Sequence, residues 1–238
     1  MDQHPTRPPA RTDAAGPRFE PTRKPGGGLR WLTRLDPAGD AEYRDAVGPL
    51  AGRIERALGP EVFALRTRPA SGGWRLVPWE PARAAWRKAL RRAAREAPPG
   101  TTFAVADVRD CYGSISPETI AALLGPEAAH AIAFLRRLHD RGVRGLPIGP
   151  ESSAILANAV LSEMDRTIRH AGAQHLRWVD DLVLWGSRTD IGCALAALDD
   201  VAARMGLELH PTKTRLLADR QEACAALGGR DSSIIAAP

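Results

Sequence analysis

The sequence predicts an α+β fold in which helices cover one face of a mainly antiparallel sheet. Two observations carry the prediction. From Thr101 onward the segments run strand, helix, helix, hairpin, helix, strand. Within that order LRWVDDLVLWG, residues 176–186, sets two apolar runs around the adjacent aspartates Asp180 and Asp181, and strands joined by so tight a turn must be antiparallel.

The elements follow in order. Residues 1–28 are rich in Pro, Gly and Arg and have little to bury, which predicts a disordered basic tail. Tyr43, Val47, Leu50, Ile54 and Leu58 recur at helical spacing and Gly59-Pro60 ends the run. EVFALRTRPASGGWRLVPW reads as a strand, a Gly-Gly turn and a strand. The next helix, from Pro81, sets Arg83, Arg87 and Arg91 on one face with Lys88, Arg92 and Arg95 beside it. Cations so crowded repel one another, which predicts either a solvated face or a phosphate backbone lying across them.

TTFAVADV is an apolar strand ending near Asp107. Ser116-Pro117 opens a short helix, with Ser as cap and Pro at the first helical position. Another helix runs from about Pro126 to His139, and a longer one from Glu151 is stopped by Gly172. After the hairpin, Ile191, Leu195, Leu198, Ala202 and Met205 mark an amphipathic helix closed by Gly206. LELHPTKTRLL supplies a strand, a turn and a strand.

Composition limits the possible chemistry. Lys and Arg number 33 against 28 acidic residues, a formal charge of +5, which permits an anionic partner without requiring one. Cys111, Cys193 and Cys224 show no metal-ligand or disulfide spacing. With no apolar run of the roughly 18 residues a membrane span needs, the reading is a soluble protein of the reducing cytoplasm without a membrane partner.

In the predicted layout the end of the first sheet strand, Asp107, and the hairpin tip, Asp180 and Asp181, can lie side by side. Converging carboxylates repel unless cations neutralise them, and oxygen donors with no His or Cys nearby favour Mg²⁺ or Mn²⁺ over zinc. A pair of such ions is the arrangement that activates a hydroxyl and stabilises a leaving phosphate oxygen. The chemistry predicted is phosphoryl transfer.

These residues resemble the reverse transcriptases. ADVRDCYGSI is similar to the family's first catalytic motif, LPIGPESSAILANAVLSEMD to its Leu-Pro-Gln-Gly motif and following helix, WVDD to its Tyr-x-Asp-Asp signature, and GLELHPTKT to the later Gly-Leu, turn and Lys element. The four occur in the family's order over roughly residues 103–217. The resemblance implies a polymerase palm, a ferredoxin-like antiparallel sheet over 101–217, with a compact fingers region over 29–100. The segment 218–238 would be a short tail, leaving the thumb absent or minimal.

What the resemblance implies about residues is specific. Asp107 and Asp180 would bind two Mg²⁺ or Mn²⁺ ions, with Asp181 adjacent and the Val108 carbonyl completing the coordination. Tyr112 would pack under the sugar and select deoxynucleotides. Gly149 would let the backbone approach template or nucleotide; Asn158 would contact the nucleotide or satisfy a buried backbone group. Lys213 would face the triphosphate and protonate the departing pyrophosphate. Arg66, Arg68 and Arg75 are the fingers cations for nucleotide phosphates, and nothing in the sequence selects among them. Arg83, Arg87, Lys88 and Arg91 would hold nucleic acid. Ile148 stands where most members have Gln; Trp178 replaces Tyr and keeps an aromatic platform for the primer end.

The function implied is RNA-directed DNA synthesis from an RNA template, a DNA or RNA primer and dNTPs. A partner protein, a noncoding RNA or a second copy would supply the missing grip. Small bacterial reverse transcriptases, many linked to antiphage defence, are the subgroup resembled. Untemplated or protein-primed DNA synthesis, and a catalytically silent palm acting as an RNA-binding scaffold, stay open.

Overall fold

The structure, a computed structural model, describes residues 16–23, 27–219, 221–223 and 225. Its centre is a four-stranded antiparallel sheet in the order β6-β7-β5-β8, formed by β5 (Thr102–Asp107), β6 (Gln174–Trp178), β7 (Asp181–Gly186) and β8 (Arg215–Leu217). With α6 (Glu151–His170) between β5 and β6, and α7 (Arg188–Arg204) between β7 and β8, the chain traces the ferredoxin-like β-α-β-β-α-β path. The predicted ferredoxin-like antiparallel sheet is therefore present.

Alternation along the strands assigns the two faces. Ala104, Ala106, Leu182 and Leu184 point into the main core, together with the buried faces of α6 and α7. α6 is buried nearly all round over its first three turns, as a helix packed on several sides must be. Along it lies α1 (Pro37–Ala57), where the Tyr43 hydroxyl is 3.2 Å from Ser153 Oγ. The short elements α3 (Cys111–Ser114) and α4 (Pro117–Leu124), and α5 (Ala129–Asp140), contribute buried side chains to the same core.

The opposite face is not bare, which corrects the one-sided arrangement expected. Phe103, Val105, Leu176, Trp178 and Val183 pack there against Ala82, Trp86 and Leu90 of α2 (Trp79–Glu96). An antiparallel sheet can leave one face to solvent, but these large side chains demand cover. Its apolar stripe makes α2 that cover.

The N-terminal expectation also needs correcting. Residues Arg18–Arg23 form β1, paired antiparallel with β2 (Leu29–Arg34) from Arg18↔Arg34 to Arg23↔Leu29. Phe19 anchors this hairpin on the main core, a role that Pro and Arg flanks concealed. Residues 1–15 of the expected tail lie outside the described residues. At the other end Ala223 is wholly buried against the α2 side, and residues 226–238 lie outside the description.

The second hairpin is shorter than predicted. β3 (Thr67–Ala70) and β4 (Gly73–Leu76) pair across the Gly72 turn. Residues 61–63 instead run beside β6, with Arg177 N donating to Glu61 O at 2.9 Å and Phe63 N to Arg177 O at 3.2 Å. The edge strand β6 offers unpaired backbone groups, and this segment satisfies them. Among the described residues no helix is long and apolar enough to cross a membrane.

Candidate active site

β5 delivers Asp107 at its last position, 6% exposed, after an almost wholly buried run. Asp107 is paired directly with Asp181 across β5 and β7. Directly opposed residues project to one face, so the sheet sets two carboxylates side by side at the end of its α2-covered face. Asp180 precedes Asp181 in the two-residue turn that joins β6 to β7. Val179 takes φ +57° while Asp180 does not have positive φ, the pattern of a type II′ turn, whose first central position normally belongs to glycine. A β-branched residue is strained there.

Asp180 is half-buried beside Asp107. Burial first and the Asp107 charge second push its carboxyl up to about 6, against the opposing pull of its own backbone N–H, Arg30 and Lys213. A partly buried acid whose charge is disfavoured by an adjacent carboxylate is stabilised by a cation. Lys213 provides one, its Nζ 3.1 and 3.0 Å from the two oxygens of Asp107. The donor set is oxygen throughout, which suits Mg²⁺ or Mn²⁺.

The Val108 carbonyl belongs to the same strand end. Val108 faces Leu209 in an antiparallel bridge whose bonds run from Arg109 N to Glu208 O and from His210 N to Asp107 O. Neither bond uses the Val108 carbonyl. Tyr112, half-buried between the two apolar clusters, lies near enough to Asp180 and Arg30 to feel both charges. Its hydroxyl is pushed up chiefly by burial. Its carbonyl accepts from Leu146 N at 2.8 Å, which ties it to the loop before α6.

Other expected residues are placed differently. Gly149 has φ +131°, and a Cβ there would lie 3.1 Å from Thr33 O; the close approach that needs glycine is to β2, where Thr33 N also donates to Ile148 O at 2.7 Å. Asn158 is 2% exposed and gives its amide hydrogens to Ala64 O and Leu65 O at 3.3 and 3.0 Å. Of its two expected roles, the structure displays satisfaction of buried backbone. Arg66 is drawn away from any nucleotide by Glu55, at 2.6 to 2.7 Å, and by Gly59 O and Val62 O. Arg68 and Arg75 are exposed and directly opposed across β3 and β4, where like charges repel. Of the three hairpin arginines, this pair is the one presented outward.

On α2 the expected cationic face divides. Arg83 is 7% exposed with its guanidinium 5.4 Å from the Trp178 ring centroid, and Arg87 is half-buried. Lys88 and Arg91 face solvent with Arg95 at helical spacing. Trp178 is 1% exposed, with Trp79 4.6 Å and Trp86 5.5 Å away between ring centroids. The ring is a core element under α2, which corrects its expected role as an open primer platform. Arg83 is likewise interior.

Two features escaped sequence reasoning. Arg30 on β2 acts electrostatically on both Asp180 and Tyr112; its only signal was a strand-like stretch, LRWLTR, with no motif around it. The second is a buried network in which Arg177, fully buried, pairs with Asp165 at 2.8 Å while His175 Nε2 lies 3.0 Å from the same carboxylate. Burial alone would raise Asp165, but Arg177 and His175 hold it down at about 2. Ligand atoms of Glu61, Asp165 and His175 fall within 4.8 Å of one another. The Arg177 guanidinium already neutralises Asp165 within that group.

A family model described as reverse transcriptase (RNA-dependent DNA polymerase) matches residues 71–229, which include both strand ends, the strained turn and Lys213. Comparison with curated proteins gives no match.

Proposed function

The chain belongs to the reverse transcriptase (RNA-dependent DNA polymerase) family, and we propose that it extends a 3′-hydroxyl with deoxynucleotides on an RNA template. The observation that carries this reading is the Asp107↔Asp181 register with Asp180 half-buried beside it. Asp107, Asp180, Asp181 and the Val108 carbonyl would hold two Mg²⁺ or Mn²⁺ ions, which when bound lower the pKa of the attacking hydroxyl and neutralise phosphate charge.

The remaining chemistry is assigned to the chain's own groups. Tyr112 stacks beneath the sugar and excludes a 2′-hydroxyl. Arg30, with Arg68 and Arg75 on the exposed hairpin, attracts the triphosphate. Lys213, already at Asp107, is a proton donor for the departing pyrophosphate. Lys88 and Arg91 on α2 position nucleic acid through its phosphates without reading sequence. The biological setting proposed, on motif resemblance to small bacterial enzymes, is antiviral defence.

The test is labelled deoxynucleotide incorporation with Mg²⁺ or Mn²⁺ on primed RNA, primed DNA and no template, with Asp180→Asn as control. Incorporation on primed RNA that the variant loses is the expected result. Signal without template would move the reading to untemplated synthesis; RNA binding without any incorporation would favour a scaffold.

A further inference from the structure

The turn that presents Asp180 is strained and short, so something must hold it. Arg177 is the immediate candidate, since it is fully buried and its guanidinium reaches forward to that turn. Its Nε and Nη2 bind the Asp165 carboxylate of α6 at 2.8 and 2.9 Å. Nη1 is left to donate to Asn158 Oδ1 and to Val179 O, each at 2.9 Å. Asn158 in turn donates to Leu65 O at 3.0 Å, so the network runs from α6 through β6 to the segment that leads into β3.

The bond to Val179 O matters because of what that oxygen belongs to. The Val179 carbonyl and the Asp180 N–H form one planar peptide unit, and this is the central peptide of the turn. Types I′ and II′ differ mainly by a flip of that peptide. A donor fixed on the carbonyl therefore selects one turn type and orients the Asp180 N–H, which supports the Asp180 carboxylate. A buried ion pair is by itself weak evidence for stability, because apolar replacements often serve as well. A planar fork anchored on one carboxylate can hold a carbonyl in a set direction; an ammonium cannot do both.

We infer that Arg177 is a positioning residue for Asp180: anchored on Asp165, it clamps the central peptide of the strained turn and so sets where the carboxylate points. This rests on the reading of Asp180 as a metal-holding carboxylate.

The test uses the full chain, with circular dichroism and thermal melting to establish folding. Mn²⁺ binding is followed by electron paramagnetic resonance without nucleotide or nucleic acid, and incorporation is measured separately. Arg177→Lys keeps the buried charge and loses the fork. It should fold and bind Mn²⁺ about tenfold more weakly, with kcat reduced and the nucleotide KM little changed. Asp165→Asn with Arg177→Gln removes both charges and should remain impaired, because the clamp is still missing. Adding Val179→Gly to Arg177→Lys should restore most of the Mn²⁺ affinity, since glycine adopts the positive φ without strain.

Wild-type Mn²⁺ affinity in a folded Arg177→Lys, or in a folded Asp165→Asn with Arg177→Gln, would overturn the inference. So would failure of both to fold with no recovery from Val179→Gly, which would leave Arg177 a purely structural charge. Asp180→Asn separates the two readings. If it is folded and unchanged in Mn²⁺ binding and incorporation, the reading of Asp180 fails. If it loses both while Arg177 variants lose neither, only the positioning role fails.

Discussion

Lys213 Nζ lies 3.1 and 3.0 Å from the two carboxylate oxygens of Asp107, so the chain supplies its own cation where a metal is proposed to bind. The ammonium and a divalent ion compete for the same lone pairs. Lys213→Ala is expected to tighten Mn²⁺ binding to the nucleotide-free protein by about threefold to tenfold, a modest gain because Lys213 is half exposed. The same variant should slow incorporation by roughly a hundredfold if Lys213 donates the proton to pyrophosphate. Calorimetry and single-turnover kinetics check the two halves; weaker Mn²⁺ binding would make Lys213 an orienting partner of Asp107.

Asp180 makes stability depend on pH in a defined direction. Its folded value of about 6 lies above the ordinary 3.8. Between those values the native state keeps a proton that the unfolded chain has released, so stability falls as pH rises through the window and is flat above it. The effect is on the order of 3 kcal/mol. Asp180→Asn should melt several degrees higher than wild type at pH 7 in chelator, with the difference shrinking toward pH 4. Equal melting temperatures at pH 7 would show that the Asp180 charge is relieved in another way.

Tyr112 is held by its backbone as well as its ring, since its carbonyl accepts from Leu146 N at 2.8 Å. Truncation should therefore open space beside Asp180 without moving the main chain. Tyr112→Ala is expected to reduce discrimination against ribonucleotides by at least about tenfold. The ratio of kcat/KM for paired deoxy and ribo substrates measures it, and an unchanged ratio removes Tyr112 from sugar selection.

The outward cations of α2 should act on RNA through charge alone. Replacing Lys88, Arg91 and Arg95 together by Ala is expected to weaken RNA binding for all sequences alike. The slope of log affinity against log salt should flatten by roughly 2, as for three lost single-strand phosphate contacts. Arg83→Met is the contrasting control: with its guanidinium over Trp178, it should alter stability more than the salt slope.

Gly149 can be tested without nucleotide. Its φ of +131° and the 3.1 Å approach of a Cβ to Thr33 O predict that Gly149→Ala destabilises by about 2 kcal/mol or more. A thermal melt decides it, and an unaltered melting temperature would show that β2 can yield.

The order of elements from Thr101 onward, the helix cap at Ser116, and the placement of Asp107 and the Asp180-Asp181 pair at strand ends were determined by local sequence. These are short-range matters: capping, two-residue alternation and turn length are set by neighbours a few residues apart. Tertiary structure alone decided what covered each surface. LRWV reads equally well as a strand with an exposed aromatic, yet α2 closes over Trp178 and makes it core. Arg66 and Arg68 are indistinguishable in a basic hairpin until Glu55 of α1 reaches one of them. Asn158, Asp165 and Arg177 are separated by up to 19 residues, and only the packing of α6 against β6 joins them under the turn. Burial and pairing between distant segments are set by which faces meet, and no local periodicity encodes that choice.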